Sequence, residues 1–175
     1  MSTASPALLG ATRGLLWLFL GLVAVATLLV LAIGVALAFA WPETLAHFRD
    51  TGVFLDVASA RAPLGFMMLL FLAILLATAF MLRQLQALVA SAANGDPFAP
   101  TSAQRLRRVG WALVVTQAAA LPIHWISSRI VATGSDLGSA GGLSLGGVLA
   151  ILLAFVLAAV FEQGSAMRDE LEGTV

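Results

Sequence analysis

The chain has 175 residues, of which 61% are hydrophobic and only 10% are charged, and its formal net charge is zero. A soluble domain carries about 25% charged residues, so this composition excludes a water-covered globular protein and indicates an integral membrane protein. The balanced charge gives no sign of direct nucleic acid binding, and the absence of cysteine excludes disulfides and thiolate chemistry.

Four stretches without charged residues are each long enough for a transmembrane helix, which needs roughly 20 residues to cross about 30 Å of hydrocarbon. Because a backbone in lipid must satisfy its own hydrogen bonds, each stretch is predicted to be helical. The predicted spans are residues 15–41, 62–82, 109–128 and 143–161, with a central loop at 83–108 and a tail at 162–175. The sequence therefore predicts an all-α, four-helix transmembrane bundle that forms one domain over residues 1–175.

The first span is much longer than the roughly 7–15 apolar residues of a signal peptide, so we interpret it as a retained anchor. Trp17 and Trp41 lie near its two ends, and Trp111 and Trp125 lie near the ends of the third span. Tryptophan favours the membrane–water interface, so these four residues are predicted interface anchors. Trp111 and Trp125 are only about 21 Å apart along a helix, which places one of them deeper than the interface.

The arginines predict the orientation of the chain. All nine basic residues are arginines, and short loops rich in arginine remain cytoplasmic. With alternating spans, six arginines fall on the side of both termini and the central loop, and three fall on the other side. The first group is Arg13, Arg83, Arg105, Arg107, Arg108 and Arg168, and the second is Arg49, Arg61 and Arg129. Both termini and the central loop are therefore predicted to be cytoplasmic.

The central loop contains signals for the end of one helix and the start of the next. Asn94-Gly95 can supply a left-handed helix stop, and Asp96-Pro97 continues the break. Thr101 and Gln104 match a capping box that starts a new helix.

On that new helix, Leu106 and Val109 share one side, Arg107 lies nearly opposite, and Arg105 and Arg108 flank it. We expect this first turn to be amphipathic and to rest on the inner leaflet, where each arginine contributes about 1 kcal/mol of attraction to anionic lipid. A topology anchor is one interpretation of the three arginines, and a docking surface for an acidic cytoplasmic partner is the other.

The third span contains the few polar side chains that could carry chemistry. Gln117 is predicted to bridge helices. His124 is interpreted as a structural histidine that bonds backbone or water, and with His47 in the outer loop it shows no recognisable metal or haem ligand spacing. No Asp, Glu, Lys or Arg lies inside the predicted spans, which argues against a proton-coupled transporter. Neither a cofactor nor an enzymatic activity is expected.

Small residues recur every four positions around the start of the fourth span, at Gly138, Gly142 and Gly146. Such spacing lets helices approach closely. It is compatible with a homodimer seam, with packing inside the bundle, or with a loop before a span that begins near Leu143.

The C-terminal tail is acidic. Asp169, Glu170 and Glu172 outnumber Arg168 there. Because the tail and the arginines of the central loop are predicted to lie on one side, a weak salt link between them is expected, and exposed pairs contribute about 0–1 kcal/mol. A solvated chain end is the alternative.

Two segments together resemble the domain of unknown function 2975 family, which consists of small bacterial inner-membrane proteins with four predicted helices. "GDPFAPTSAQRLRRVGW" lies in the central loop, and "VFEQGSAMRDELEGTV" closes the chain. The first motif is matched at Gly95, Pro97, Phe98, Arg105, Leu106, Arg108, Gly110 and Trp111, and the second at Phe161, Gly164, Arg168, Leu171, Thr174 and Val175. The chain departs from the family at Ser102, where members often carry Asn, and at Ala159, where they often carry an acidic residue.

The resemblance implies a bacterial inner-membrane location and no assigned activity. Members are often encoded beside a small helix-turn-helix regulator, which suggests a cytoplasmic DNA-binding partner. We therefore predict a non-enzymatic regulatory or accessory membrane protein that presents Arg105, Arg107, Arg108 and the acidic tail to a partner. The alternatives are a structural or assembly subunit of a membrane complex, including a homo-oligomer, and a small transporter or channel.

Overall fold

The secondary structure consists of four long helices in the computed structural model, which describes residues 6–39, 57–93, 100–130 and 144–172. Side chains are described for residues 10–39, 62–93, 101–126 and 144–167. The helices are α1 (Pro6–Phe39), α2 (Val57–Ala93), α3 (Pro100–Ile130) and α4 (Leu145–Glu172). Each is long and apolar enough to cross a membrane. The predicted all-α class is confirmed for the described residues, and four helices that suit a membrane indicate a multi-pass membrane protein; the exact spans and the sides of the termini remain predictions.

The helices extend beyond the charge-free stretches from which the spans were predicted. α2 has 37 residues, which is about 55 Å at the helical rise and well beyond the hydrocarbon thickness of about 30 Å. It continues through Arg83 to Ala93, and the predicted stop at Asn94-Gly95 lies outside the described residues. A charge-free window measures the part of a helix that suits lipid, and the helix itself continues into the polar region.

Local signals explain two of the helix starts. Pro100 occupies the first position of α3, where its missing N–H costs no hydrogen bond, so this helix begins just before the predicted capping box. Ser144 precedes α4, and its Oγ accepts a hydrogen bond from the backbone N–H of Gly147 at 2.9 Å. This is N-terminal capping by serine, and it places Gly146 and Gly147 in the first turn of the helix.

The helices pack in chain order: α1 against α2, α2 against α3, and α3 against α4. Among the described residues, α1 and α4 share at most a marginal contact. The four-helix bundle is therefore open on the side between its first and last helices.

The core of the bundle lies on α3. Most of the described buried side chains belong to this helix, and no described side chain of α1 is buried. The buried apolar residues of α3 are Leu106, Val109, Ala112, Ala119, Ile123 and Ile126. They recur every three, four or seven residues, as expected for a helix covered by neighbours.

Leu106 and Val109 correct one prediction. The sequence placed this side of α3 on the inner leaflet, but only 9% of Leu106 and 6% of Val109 are exposed. Both are covered by protein because α3 lies between α2 and α4. The predicted amphipathic pattern holds, with Arg107 exposed, but its apolar side faces the bundle.

Candidate functional site

The basic cluster (Arg105, Arg107 and Arg108) lies in the first turns of α3, and the three arginines have different surroundings. Arg105 is half-buried, and Arg107 and Arg108 are exposed. Arg105 and Arg108 are three residues apart and lie on the side of α3 toward α2, whereas Arg107 points away from them toward α4.

Arg105 joins α3 to α2. Its Nη1 donates to the backbone carbonyl of Ala87 at 2.8 Å and to Ser91 Oγ at 3.0 Å. Ser91 Oγ in turn donates to the same carbonyl at 3.1 Å. The guanidinium thus closes a small polar network between two helices, and a charged donor makes such bonds stronger than neutral ones. Part of the donor capacity of Arg105 is therefore used inside the protein.

Ser102 lies three residues before Arg105 on α3, and Gln86 lies next to Ala87 on α2. Ser102 is fully buried, and the buried Ser102 Oγ and Gln86 Nε2 have no hydrogen-bond partner among the described residues. Buried polar groups without partners are costly. Among the described residues, the bonds of Arg105 to Ala87 and Ser91 are the hydrogen bonds found between α2 and α3.

Arg107 joins α3 to α4. Its Nη2 lies 2.9 Å from Oε2 of Glu162, and the two side chains are 57% and 61% exposed. Glu162 is the first residue of the predicted tail, so a salt link between cluster and tail does form, through a residue other than the three acidic ones predicted. The pair shows that the start of α3 and the end of α4 lie at one end of the bundle.

Arg108 has no hydrogen bond or ion pair among the described residues. It lines a groove of about 300 Å³ between α2 and α3. The other lining residues are Ala77, Phe80, Trp111, Ala112 and Val115. Arg108 is the only charged residue among them, and we call this feature the Arg108 groove.

Gln117 connects the middle of α3 to the start of α4. Its Nε2 donates to the backbone carbonyl of Ser144 at 3.2 Å. The Gln117 side chain also occupies the space that a Cβ on Gly147 would fill. Gln117 therefore lies where the sequence predicted a bridging residue, and Gly147 provides room for it.

The described glycines that pack closely against other side chains are not those of the predicted stripe. A Cβ added at Gly146 would meet nothing within 4 Å, and Gly138 and Gly142 lie outside the described residues. A Cβ at Gly110 would approach the ring of Phe155 to 3.1 Å, and the same ring lies edge-on to Trp111 with centroids 5.9 Å apart. Sequence spacing could not identify Gly110, because its role depends on an aromatic residue 45 positions later.

Three of the predicted interface anchors are well exposed: Trp17, Trp111 and Trp125 each expose 60% of their surface. His124 is exposed on α3. Trp41 and His47 lie outside the described residues, as do the side chains of Asp169, Glu170 and Glu172. Within the described segments, no three His, Cys, Asp or Glu side chains lie close enough together to hold a metal ion.

Comparison with known proteins gives one family match. The family described as "Protein of unknown function (DUF2975)" matches residues 17–175. No curated protein and no solved structure matches the chain.

Proposed function

Since this chain belongs to the DUF2975 family, a family of unknown function, we propose that it is a non-enzymatic regulatory or accessory membrane protein. In this proposal, the start of α3 and the tail after Glu162 form one cytoplasmic surface that contacts a protein partner. The ion pair between Arg107 and Glu162 is the observation that carries the proposal, because it brings the two family motifs to the same end of the bundle.

The charge of this surface supports a polar partner. Arg107 and Arg108 are exposed at the start of α3, and the sequence after Met167 adds three acidic residues and one arginine. An exposed ion pair contributes little stability, so a partner can displace Glu162 from Arg107 at small cost. The excess of arginine on this side favours a cytoplasmic location, and the family resemblance suggests a small helix-turn-helix regulator as the partner.

In-cell crosslinking tests the proposal. The full chain, tagged at its N-terminus so that Val175 stays free, is compared with a variant lacking residues 165–175. A third variant, Arg107→Gln, removes the cation that pairs with Glu162, and Arg13→Gln, which removes one exposed arginine of α1, serves as a control with equal charge loss elsewhere.

The expected result is a small DNA-binding protein that co-purifies with the full chain and with the control, and that is lost from the other two variants. Reporter fusions to residues 94–99 should show a cytoplasmic location. Recovery of the chain itself or of other membrane proteins only, unchanged by any variant, would contradict the proposal.

A structural or assembly role is the second candidate, and the exposure of α1 favours it. No described side chain of this helix is buried, and Leu18, Leu22 and Leu28 each expose more than 60% of their surface. A partner helix could pack along this side as readily as lipid. Two pairs of substitutions test this role: Gly142 and Gly146 replaced by Leu, and Leu18 and Leu22 replaced by Trp. If the protein is an assembly subunit, either pair should abolish co-purification of membrane subunits and leave a soluble partner bound.

A further inference from the structure

The Arg108 groove combines features that suit one kind of ligand. Its walls are apolar, and its one charged lining residue is Arg108. Its volume of about 300 Å³ is at the lower end of the range for small-molecule sites, about 300–1,000 Å³. A ligand that fits must therefore have an apolar body and an anionic group at one end.

The order of the residues along α3 follows the layers of a membrane. Arg108, Trp111 and Val115 lie on one exposed stripe of the helix, at spacings of three and four residues that place them on the same side. Arginine extends its charge toward the headgroup layer, tryptophan favours the interface, and valine suits hydrocarbon. From Arg108 to Val115 the helix rises seven steps, about 10 Å, which spans the distance from phosphate to acyl chain.

The Arg108 guanidinium is available to bind a ligand. Arg105 is engaged with Ala87 and Ser91, and Arg107 with Glu162. Arg108 has no such partner among the described side chains, and neither has Arg83, which follows the groove residue Phe80 by one helical turn toward the same end of the bundle. Arg108 is thus an exposed cation on the wall of an otherwise apolar groove, and Arg83 is a second exposed arginine on the neighbouring helix. The second groove of similar volume, between α1 and α2, has no charged lining residue.

We propose that the Arg108 groove is a binding site for an anionic phospholipid. Its phosphate pairs with the Arg108 guanidinium, and one acyl chain lies against Phe80, Trp111 and Val115. This site does not depend on the proposed regulatory function or on which leaflet faces the cytoplasm. In this proposal Arg108 binds lipid, and Arg107 belongs to the surface that contacts the protein partner.

Quenching of Trp111 fluorescence by brominated lipid tests the site. The full chain carries Trp17, Trp41 and Trp125 replaced by Phe, so that Trp111 is its only tryptophan, and it is reconstituted in phosphatidylcholine vesicles with increasing phosphatidylglycerol. The bromine is placed on the acyl chains of either lipid. Brominated phosphatidylglycerol should quench Trp111 at a lower mole fraction than brominated phosphatidylcholine.

Three variants locate the interaction. Arg108→Gln should raise the mole fraction of phosphatidylglycerol for half-quenching about fivefold, the effect of one arginine near an anionic lipid surface. Arg108→Lys should retain most of the preference, and Arg13→Gln, which removes one exposed charge from α1, should change nothing. Val115→Phe, which fills the groove, should reduce the maximal quenching by the acyl chains of both lipids.

Other outcomes overturn the proposal. Equal quenching by the two brominated lipids, or equal shifts for Arg108→Gln and Arg13→Gln, would mean that the membrane charge acts diffusely. Loss of the preference in the presence of millimolar inorganic phosphate would mean that the site takes a free anion. Circular dichroism of each variant in the same vesicles checks that the helices are intact.

Discussion

α1 and α3 are both apolar helices of more than 30 residues, yet they have opposite surroundings. No described side chain of α1 is buried, whereas α3 is covered by α2 on one side and α4 on the other. The hydrogen bond of the Thr27 hydroxyl stays within α1, but Arg105, Arg107 and Gln117 of α3 each bond a residue outside it.

This difference shows what places a helix in a membrane bundle. Lipid tails are as apolar as leucine, so hydrophobicity alone does not draw helices together. α1 is more apolar than α3 and makes fewer contacts with the rest of the protein. Close approach at small residues and polar bonds between helices instead select the neighbours of α3.

The largest expected effect comes from the polar network between α2 and α3. Arg105→Leu removes the bonds to Ala87 and Ser91, and hydrogen bonds from charged groups contribute about 1.5–3 kcal/mol. We expect the free energy of unfolding, measured by SDS titration in mixed micelles, to fall by about that amount. Arg13→Leu on α1 is the matched control and should change it by less than about 0.5 kcal/mol. Equal losses in the two variants would mean that Arg105 does not fix α2 against α3.

The contact between α3 and α4 gives the next largest effect. Gly110→Leu forces a side chain against the Phe155 ring, and overpacking of this kind costs about 1–3 kcal/mol. Gly21→Leu on α1 meets nothing within 4 Å and gains helix propensity, so it should be neutral or stabilising. The thermal midpoint in detergent, followed by circular dichroism, measures both. A neutral Gly110→Leu would refute the close packing described for this pair.

A smaller effect is expected at the start of α4. Gln117→Leu loses the hydrogen bond to the Ser144 carbonyl, and such bonds between membrane helices average about 0.6 kcal/mol. Gln84→Leu, on α2, is a control with the same change of side chain. Hydrogen exchange of the first turn of α4 should increase for the first variant only. Unchanged exchange there would show that the Ser144 cap holds this turn without Gln117.

The smallest effect is expected for the exposed ion pair. Arg107→Gln and Glu162→Gln should each change the free energy of unfolding by less than about 1 kcal/mol. The coupling energy from the double-mutant cycle should fall further when salt is added, because exposed charges are screened. A coupling above about 1 kcal/mol that resists salt would contradict the view that a partner can displace Glu162.

The sequence predicts the helices well but not their contacts. Length and hydropathy suffice for the four spans, and helical periodicity correctly places Leu106 and Val109 opposite Arg107. The same periodicity does not say that protein rather than lipid covers Leu106, since both are apolar. The roles of Arg105, Arg108 and Gly110 depend on residues of α2 and α4 that are distant in the sequence, so local patterns could not separate the three arginines of the cluster.

The order of packing has a consequence for how the protein is made. Every substantial interface joins helices that are neighbours in the chain, so each interface can form once the later of its two helices has entered the membrane. Domains assemble as units from the N-terminus during synthesis, and contacts between sequence neighbours form rapidly. When α3 arrives, α2 already presents Ala87 and Ser91 to Arg105. α4, whose substantial contacts among the described residues are made to α3, follows α3 in synthesis and can pack against it as soon as it has entered the membrane.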